Sequence, residues 1–331
     1  MPTAVDDLVR DFGRYADNPS AVLALNAGVE HFRKPGIDGF IAYRRAGRYL
    51  VQICGPIAPV ADHDALLTAF LAFAAAERSR VMAVQLQRHE TAVYQRHGFR
   101  VDQIGASYAI DLGRFSLQGK KFVSLRNKIS RARRADITTM IIADDEITPE
   151  LADEIRAVDA AWLHGKGTHT HEIAVLIGQL GGPAGGSRRV VLARIDSALI
   201  GYLTFSPVAG SRSGWLHDLS RKVPDAPPGT MELMVSAAVA EFRSVGARWL
   251  HFGFTPFTGL ATDNQLATSH RVVQTIVRLL AEHGEKLYPA STQLAYKEKW
   301  APHEVLPDYI AFHGRPRLAA IWQLIKLTNL V

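Results

Sequence analysis

The chain has 331 residues, of which 47% are hydrophobic and 21% charged, and its formal net charge is +6. This composition argues against a disordered protein, the length suggests about two domains, and the positive charge favours anionic partners. The single cysteine, Cys54, excludes an intrachain disulfide and a cysteine-based zinc site, as is typical of cytoplasmic proteins. The longest apolar run, residues 65–76, is shorter than the roughly 20 residues of a membrane span, so we expect a cytoplasmic protein without a transmembrane segment.

The first half of the chain predicts short helices, a hairpin and then alternating strands and helices. The hairpin turns at Arg45-Ala-Gly47, and Gly98 ends a helix where a left-handed residue is least costly. In chain order we expect helices at 5–15 and 19–27, a hairpin at 39–54, a helix at 62–79, a strand at 81–87, a helix at 89–97 and strand structure over 99–112.

The second half repeats this order of elements, which predicts an internal structural duplication. We therefore expect an α/β (α+β) protein of two units, residues 1–138 and residues 139–331, each with a mixed sheet flanked by helices. The predicted elements are a helix at 149–163, a hairpin at 189–205, a strand at 214–219, a helix at 229–245, a strand at 248–254 and a helix at 268–283.

Two carboxylates and two lysines of the second half are candidates for a site at the mouth of one sheet. Asp218 and Arg221 follow an apolar strand, and Glu232 lies in the first turn of the next helix, where the helix dipole stabilises a carboxylate. Lys297 and Lys299 alternate with other residues, so a strand would direct both toward one anion. The alternatives are a capping role for Asp218, a solvated loop charge at Arg221, a dipole role for Glu232 and an exposed edge strand for the lysines. The functional pattern suits transfer chemistry on an ester whose leaving group carries phosphate.

A basic segment without acids lies between Asp111 and Asp136. Its apolar residues fall at helical spacing, so the cations can occupy the opposite face of a helix. This pattern predicts contacts with the phosphates of a tRNA acceptor stem, with an anionic membrane surface or a merely solvated face as alternatives. The seven cations are Lys120, Lys121, Arg126, Lys128, Arg131, Arg133 and Arg134.

Two further segments carry predictions. Residues 164–171 contain three histidines, but no cysteine or ordered carboxylate spacing accompanies them, so we expect no metal. We expect this glycine-rich loop, with Trp162 and Lys166, to close over substrate. Residues 315–331 predict an amphipathic basic helix that docks on the second unit, with peripheral membrane contact as the alternative.

The element order and the stretch Tyr94-x3-Gly-Phe99 resemble the GCN5-related N-acetyltransferase (GNAT) fold. Members that use acetyl-CoA present a glycine-rich loop whose amides hold the pyrophosphate. Here the corresponding turns, residues 54–59 and 223–229, are rich in proline, which lacks the N–H donor. We therefore expect no coenzyme A and no other cofactor.

A longer series of motifs resembles the catalytic domain of lysylphosphatidylglycerol synthases, the multiple peptide resistance factor family. That resemblance implies tandem GNAT-like units that take an aminoacyl group from aminoacyl-tRNA, the co-substrate. The motifs include Asp111-Leu-x2-Phe, Leu125-Arg-Asn-Lys128, Ala161-Trp-Leu-His-Gly-Lys166, Asp218-Leu-x-Arg221, Pro228-Gly-x-Met-Glu232, Gly253-x2-Pro256 and Lys297-x-Lys-Trp300.

The resemblance implies catalytic roles for Asp218, Glu232 and Arg221, and substrate contacts for Lys297, Lys299, Trp162, Lys166 and Gly253. Asp218 is the candidate general base or the group that binds the α-ammonium of the donor. The family's Gly-Glu-x-Ala segment is here Gly105-Ala-Ser-Tyr-Ala109, without its acid, which leaves the acceptor open. We expect transfer to a hydroxyl or amine of a small molecule. Transfer to the headgroup of phosphatidylglycerol at the membrane and CoA-dependent N-acetylation are the alternatives.

Overall fold

The structure, a computed structural model, describes residues 4–166, 177–182, 185–284 and 289–328. Within these ranges the chain forms one mixed sheet with helices on both faces. In chain order the elements are α1 Ala4–Tyr15, β1 Glu30–Phe32, β2 Ile41–Ala46, β3 Tyr49–Ile53, α2 His63–Ala76, β4 Arg80–Gln87, α3 Thr91–Arg96, β5 Phe99–Asp111, α4 Val123–Arg134, β6 Thr138–Ala143, α5 Pro149–Lys166, β7 Arg189–Ile195, β8 Ala198–Val208, β9 Gly214–Lys222, α6 Thr230–Ser244, β10 Trp249–Pro256, α7 Arg271–His283, α8 Ala290–Glu298, β11 Glu304–His313 and α9 Leu318–Leu327.

The sheet contains the same arrangement of strands twice. Its order is β1-β2-β3-β4-β11-β5-β10-β9-β8-β7-β6. In each half an antiparallel series leads into a parallel pair, β3 with β4 and β9 with β10, joined by a crossover through α2 or α6. The predicted fold class, α/β with two tandem GNAT-like units, is therefore confirmed.

The two halves are joined by the last strand of the chain. β11 pairs antiparallel with both β4 and β5, and β5 also pairs with β10. The two central sheets are consequently one continuous sheet, and a strand from the second half completes the first. The boundary between residues 138 and 139 stays a prediction; α4, on its N-terminal side, packs against α6 on its C-terminal side.

The second half of the sheet buries side chains on both faces. Leu203 and Phe252 belong to the core that α4 and α6 cover. Leu192 and Tyr202 face the opposite way and belong to the core that α5 covers. Side chains of β8 and β9 are therefore assigned to the α5 face or the α6 face by their contacts, because the pairing of these strands shifts register between Leu203 and Phe205 and interrupts the simple alternation.

Most predicted elements are found, but the segment with Lys297 and Lys299 was predicted wrongly. It is a helix, α8, and not a strand. Lys297 and Trp300 are buried and three residues apart, which is helical spacing. The two lysines therefore do not point at one anion.

The C-terminal helix α9 packs with residues of both halves of the chain. Ile321 and Leu324 belong to a cluster that contains Tyr49 of the first half and Val277 and Ile310 of the second. The predicted docking on the second unit is therefore shared with the first half of the sheet. Among the described residues, none of the helices has both the length and the hydropathy that crossing a membrane requires.

Candidate active site

The parallel strands β9 and β10 separate part-way along their length. They pair at Trp215 with Leu250 and at Leu216 with His251, and not beyond. A bulge follows in β10, where Gly253 takes a φ of +72°, so that β10 continues its pairing with β5 alone. Backbone groups of both strands are thus released from the ladder beside residues 217–219 of β9.

Asp218 lies on the α5 face of β9, at this separation. Its carboxylate accepts a hydrogen bond from the hydroxyl of Ser206, and Ser206 accepts one from Nε of Arg188 at 3.1 Å. Burial raises the pKa of Asp218 to about 7, although Ser206 and the charge of Arg188 act to lower it. Because a carboxyl with this pKa exchanges a proton readily near neutral pH, Asp218 is suited to general base catalysis.

Arg188, which the sequence analysis did not single out, holds this arrangement together. Its side chain is fully buried, donates to the carbonyl of Gly181 and lies 3.9 Å from the Asp144 carboxylate. Gly178 precedes that carbonyl, and a side chain there would overlap the carboxyl of Asp218. The 177–182 segment therefore covers Asp218. The sequence analysis missed Ser206 and Arg188 because neither a serine within the apolar strand β8 nor an arginine just before β7 belongs to a motif.

Arg221 and Trp162 are brought together, also on the α5 face. The Arg221 guanidinium lies 3.8 Å from the centre of the Trp162 ring and its Nε is 3.7 Å from Asp159. Asp159 in turn accepts a hydrogen bond of 2.7 Å from Tyr202. These contacts favour a positioning role for Arg221 over the predicted catalytic role, and its burial rules out the alternative of a solvated loop charge.

Glu232 lies with the helices of the α6 face and contacts two lysines. Its Oε1 is 2.9 Å from Nζ of Lys299 and 3.4 Å from Nζ of Lys128. Burial acts to raise the pKa of Glu232, but the hydrogen bond and charge of Lys299, with the charge of Lys128, outweigh it and lower the pKa. The cluster is a carboxylate with two ammonium groups, which leaves one positive charge in excess.

The side chain of Lys297 binds the backbone carbonyls that the bulge in β10 leaves unpaired. Its Nζ donates to the carbonyls of Gly253, at 2.7 Å, and Phe254, at 3.0 Å. Burial lowers the pKa of Lys297 to about 7, against the opposing effect of Asp308. Lys297 and Gly253 are thus neighbours, as the shared site requires, but the lysine binds protein carbonyls instead of lying open to substrate.

The two carboxylates do not line one cavity from the same side, which corrects the expectation from the sequence. Asp218 faces α5, whereas Glu232 belongs to the α6 side. His217 lies between the two carboxylates. It precedes Asp218 in β9 and faces the α6 side, where its ring stacks on Phe205 with 5.2 Å between the ring centres. Burial and the charges of Lys297 and Lys299 lower the pKa of His217 to about 3, so its ring is neutral. His217 therefore lies between the Asp218 carboxyl on one face of β9 and the cluster of Glu232 with its two lysines on the other.

Residues 9–312 match the family described as "Phosphatidylglycerol lysyltransferase, C-terminal". The chain belongs to this family. The recognition made from the sequence motifs is thereby confirmed, and with it an aminoacyltransferase family.

Curated members of related sequence are considerably longer. An MprF-like domain protein of Mycobacterium tuberculosis is 24% identical over 269 residues, which are 78% of this chain and 54% of that protein. A phosphatidylglycerol lysyltransferase of Staphylococcus epidermidis is 24% identical over 291 residues, which are 88% of this chain and 34% of that protein. The chain thus spans about half or less of the length of these relatives.

Solved structures of the family share the fold. L-PGS from Bacillus licheniformis has a TM-score of 0.80 at 18% identity and covers 98% of this chain and 96% of its own. The C-terminal domain of a putative lysylphosphatidylglycerol synthetase from Agrobacterium fabrum has a TM-score of 0.78 at 22% identity, with 98% and 95% covered.

The predicted basic segment of this lysyltransferase-family chain contains cations with a hydrogen bond or ion pair to a described residue and cations without an ion pair. Arg126 donates to the carbonyls of Leu117 and Gly119, at 2.5 and 2.9 Å, and so holds a loop. Lys128 is directed at Glu232. The remaining cations are exposed and make no ion pair with any described residue; these are Lys120, Lys121, Arg131, Arg133 and Arg134.

The predicted substrate loop falls largely outside the described residues. Residues 167–176, with two of the three histidines, are not described, and of Lys166 only the backbone, in α5, is. Among the residues that are described, no three His, Cys, Asp or Glu side chains are grouped to hold a metal ion.

Proposed function

We propose that this chain transfers an aminoacyl group from the ester of an aminoacyl-tRNA to an acceptor hydroxyl, with Asp218 as the general base. The observation that carries the proposal is the Asp218 carboxyl, with its pKa of about 7, beside the separated strands β9 and β10. An aminoacyl ester is already activated, so the reaction needs positioning, a proton acceptor and stabilisation of negative charge.

The proposed chemistry is a single acyl transfer. The acceptor oxygen attacks the ester carbonyl while Asp218 takes its proton, and a tetrahedral oxyanion forms. The carbon–oxygen bond to the ribose then breaks, and the proton passes to the ribose oxygen. Ser206 and Arg188 keep the carboxyl oriented, and the neutral His217 stands on the opposite side of the strand.

The cationic side of β9 supports the second requirement. Lys299 and Lys128 exceed the charge of Glu232 by one. We propose that this excess charge stabilises the oxyanion across the unpaired edge of β9. Preorganised charge in a buried site is commonly the largest contribution to such catalysis.

Phosphatidylglycerol is the first acceptor to test, because relatives of this chain are named phosphatidylglycerol lysyltransferases. A soluble hydroxyl or amine, the acceptor expected from the sequence, is the alternative. Acetyl-CoA is a less suitable donor, because amides of both candidate pyrophosphate turns are engaged. Gly55 donates to Glu90, Val223 to Ile200 and Ala226 to Val223.

The test is incubation of the purified chain with a pool of labelled aminoacyl-tRNAs, with phosphatidylglycerol vesicles or soluble acceptors. We expect label to enter the organic phase and Asp218→Asn to reduce kcat/KM by about 10²–10⁴. Asp225→Asn, an exposed acid of the following loop, is the matched control and should retain activity.

Label that moves to a water-soluble product would assign the alternative acceptor. Transfer from no aminoacyl-tRNA to either acceptor, or full activity of Asp218→Asn, would contradict the proposal.

A further inference from the structure

A cavity of about 210 Å³ lies between the end of β5 and the start of β11. Arg114, Ser116, Lys121 and His303 are among its lining residues. Ala301 also lines it and is two residues from Lys299, which contacts Glu232. The cavity lining is therefore close in sequence to the Glu232–Lys299 pair, although none of its lining residues belongs to the candidate site.

The charged groups of the cavity are cations without acidic partners. Arg114 and Lys121 are exposed and form no ion pair with a described residue. Asp111 is the acid whose charge acts on His303, but its Oδ1 already accepts backbone N–H groups from Gly113, at 2.9 Å, and Arg114, at 3.3 Å. Neither cation has an ion-pair partner among the described residues, so both are available to an anionic ligand.

His303 supplies a neutral donor beside these charges. Its Nδ1 accepts the backbone N–H of Asp111 at 3.2 Å, so the ring proton of the neutral form is on Nε2. Burial and the charges of Arg114 and Lys121 lower the pKa of His303, against the effect of Asp111, so the ring stays neutral near pH 7. No hydrogen bond within the described ranges uses Nε2.

We propose that this cavity binds a backbone phosphate of RNA, held by the Arg114 guanidinium, the Lys121 ammonium and the Nε2–H of His303. Arginine suits phosphate because its planar donors match two phosphate oxygens at once. RNA is favoured over a lipid headgroup because α4, the helix that directly follows the lining residue Phe122, carries two further exposed cations, Arg131 and Arg134, that form no ion pair with a described residue. A chain of phosphates can occupy all of these, whereas one headgroup phosphate cannot. The inference rests on the proposed tRNA donor and adds the position of one phosphate.

The test compares two double variants of equal charge. Arg114→Ala/Lys121→Ala removes the cavity cations, and Arg48→Ala/Arg80→Ala removes two exposed arginines at the far end of the β3–β4 pair. Binding of uncharged tRNA is measured between 50 and 200 mM salt (roughly the range over which phosphate contacts are lost). The cavity variant should bind about tenfold or more weakly, and the slope of log K against log salt should become shallower by roughly 1.4–1.8.

A third variant, His303→Gln, keeps a neutral donor and should retain more affinity than His303→Ala. Cavity variants that bind tRNA like the control pair would overturn the inference, as would a loss confined to binding of phosphatidylglycerol vesicles. The probe is tRNA without an attached amino acid, so the binding results do not depend on transfer. Aminoacyl transfer by the unaltered protein together with unchanged tRNA binding by the cavity variants would refute the phosphate site alone. Weaker tRNA binding by the cavity variants, in a protein that shows no transfer, would refute the proposed reaction alone.

Discussion

At the scale of single residues, the chemistry depends on how Asp218 is held. A carboxylate on a strand ordinarily titrates near pH 4. Here burial raises the pKa to about 7, while the Ser206 hydroxyl acts in the opposite direction. The hydroxyl is itself fixed by Arg188, so a residue of β8 and a residue just before β7 together set the proton affinity of the Asp218 carboxyl.

Removal of the Ser206 hydroxyl should therefore shift the pH profile of the reaction. A general base must be deprotonated, so kcat/KM should rise with pH through about 7 in the unaltered protein. Since the Ser206 hydrogen bond lowers the pKa, Ser206→Ala should raise it and move the rising limb to higher pH. Rates across pH 5.5–9 (roughly the window around that pKa) measure the shift, with Ser220→Ala in the neighbouring strand β9 as the control. An unmoved limb in Ser206→Ala would remove Asp218 from the role of base.

At the scale of elements, the position of Glu232 depends on the contact between α4 and α6. Gly229, just before α6, takes a φ of +96°, and a side chain there would overlap the carbonyl oxygen of Lys128. Glycine permits the close approach that brings Lys128 within 3.4 Å of Glu232. The two helices are thus set against each other at the point where the cationic cluster forms.

Gly229→Ala should consequently destabilise the protein more than a glycine substitution that meets only backbone strain. Positive φ costs an L-residue about 1–2 kcal/mol, and overpacking adds about 1–3 kcal/mol. Gly36→Ala is the matched control, because Gly36 has a φ of +82° and no neighbour within 4 Å of the added carbon. Urea unfolding gives both free energies. Equal losses in the two variants would show that the helix contact tolerates a side chain.

At the scale of the whole molecule, β11 joins the two halves through a buried acid. Asp308 is fully buried and accepts hydrogen bonds from Gln87 of β4, at 2.8 Å, and Ser107 of β5, at 2.6 Å. Burial raises the pKa of Asp308 to about 7, although Ser107, Lys297 and Gln87 act to lower it. The strand that completes the first unit is therefore held by a carboxyl whose neutral form the fold prefers.

This preference predicts a pH-dependent stability. An acid whose folded pKa lies above its unfolded value binds a proton in the folded state that the unfolded chain has lost. Its contribution to the free energy of unfolding is fully present below about pH 4 and is lost as pH rises toward about 7, by at most about 1.4 kcal/mol per pH unit. Asp308→Asn should flatten the dependence measured by urea unfolding at pH 5 and pH 7, and Asp263→Asn, an exposed acid, should not. Parallel pH profiles for Asp308→Asn and the unaltered protein would contradict the assignment.

Local sequence information was sufficient for most helices and strands and for the family. Hydrophobic periodicity and glycine positions determine elements such as α6 and β9, because these depend on neighbours within a few residues. The motifs around Asp218, Glu232 and Lys297 identified the family for the same reason, since they are contiguous in the chain.

Tertiary structure decided how these residues face one another. The alternation of lysines at 297 and 299 reads equally well as strand or helix end, and only the burial of Lys297 and Trp300 distinguishes them. The exchange of β11 into the first unit and the placement of Asp218 and Glu232 on opposite faces arise from pairings between distant segments. Such pairings depend on which surfaces bury each other in three dimensions, and a pattern along one segment does not contain that information.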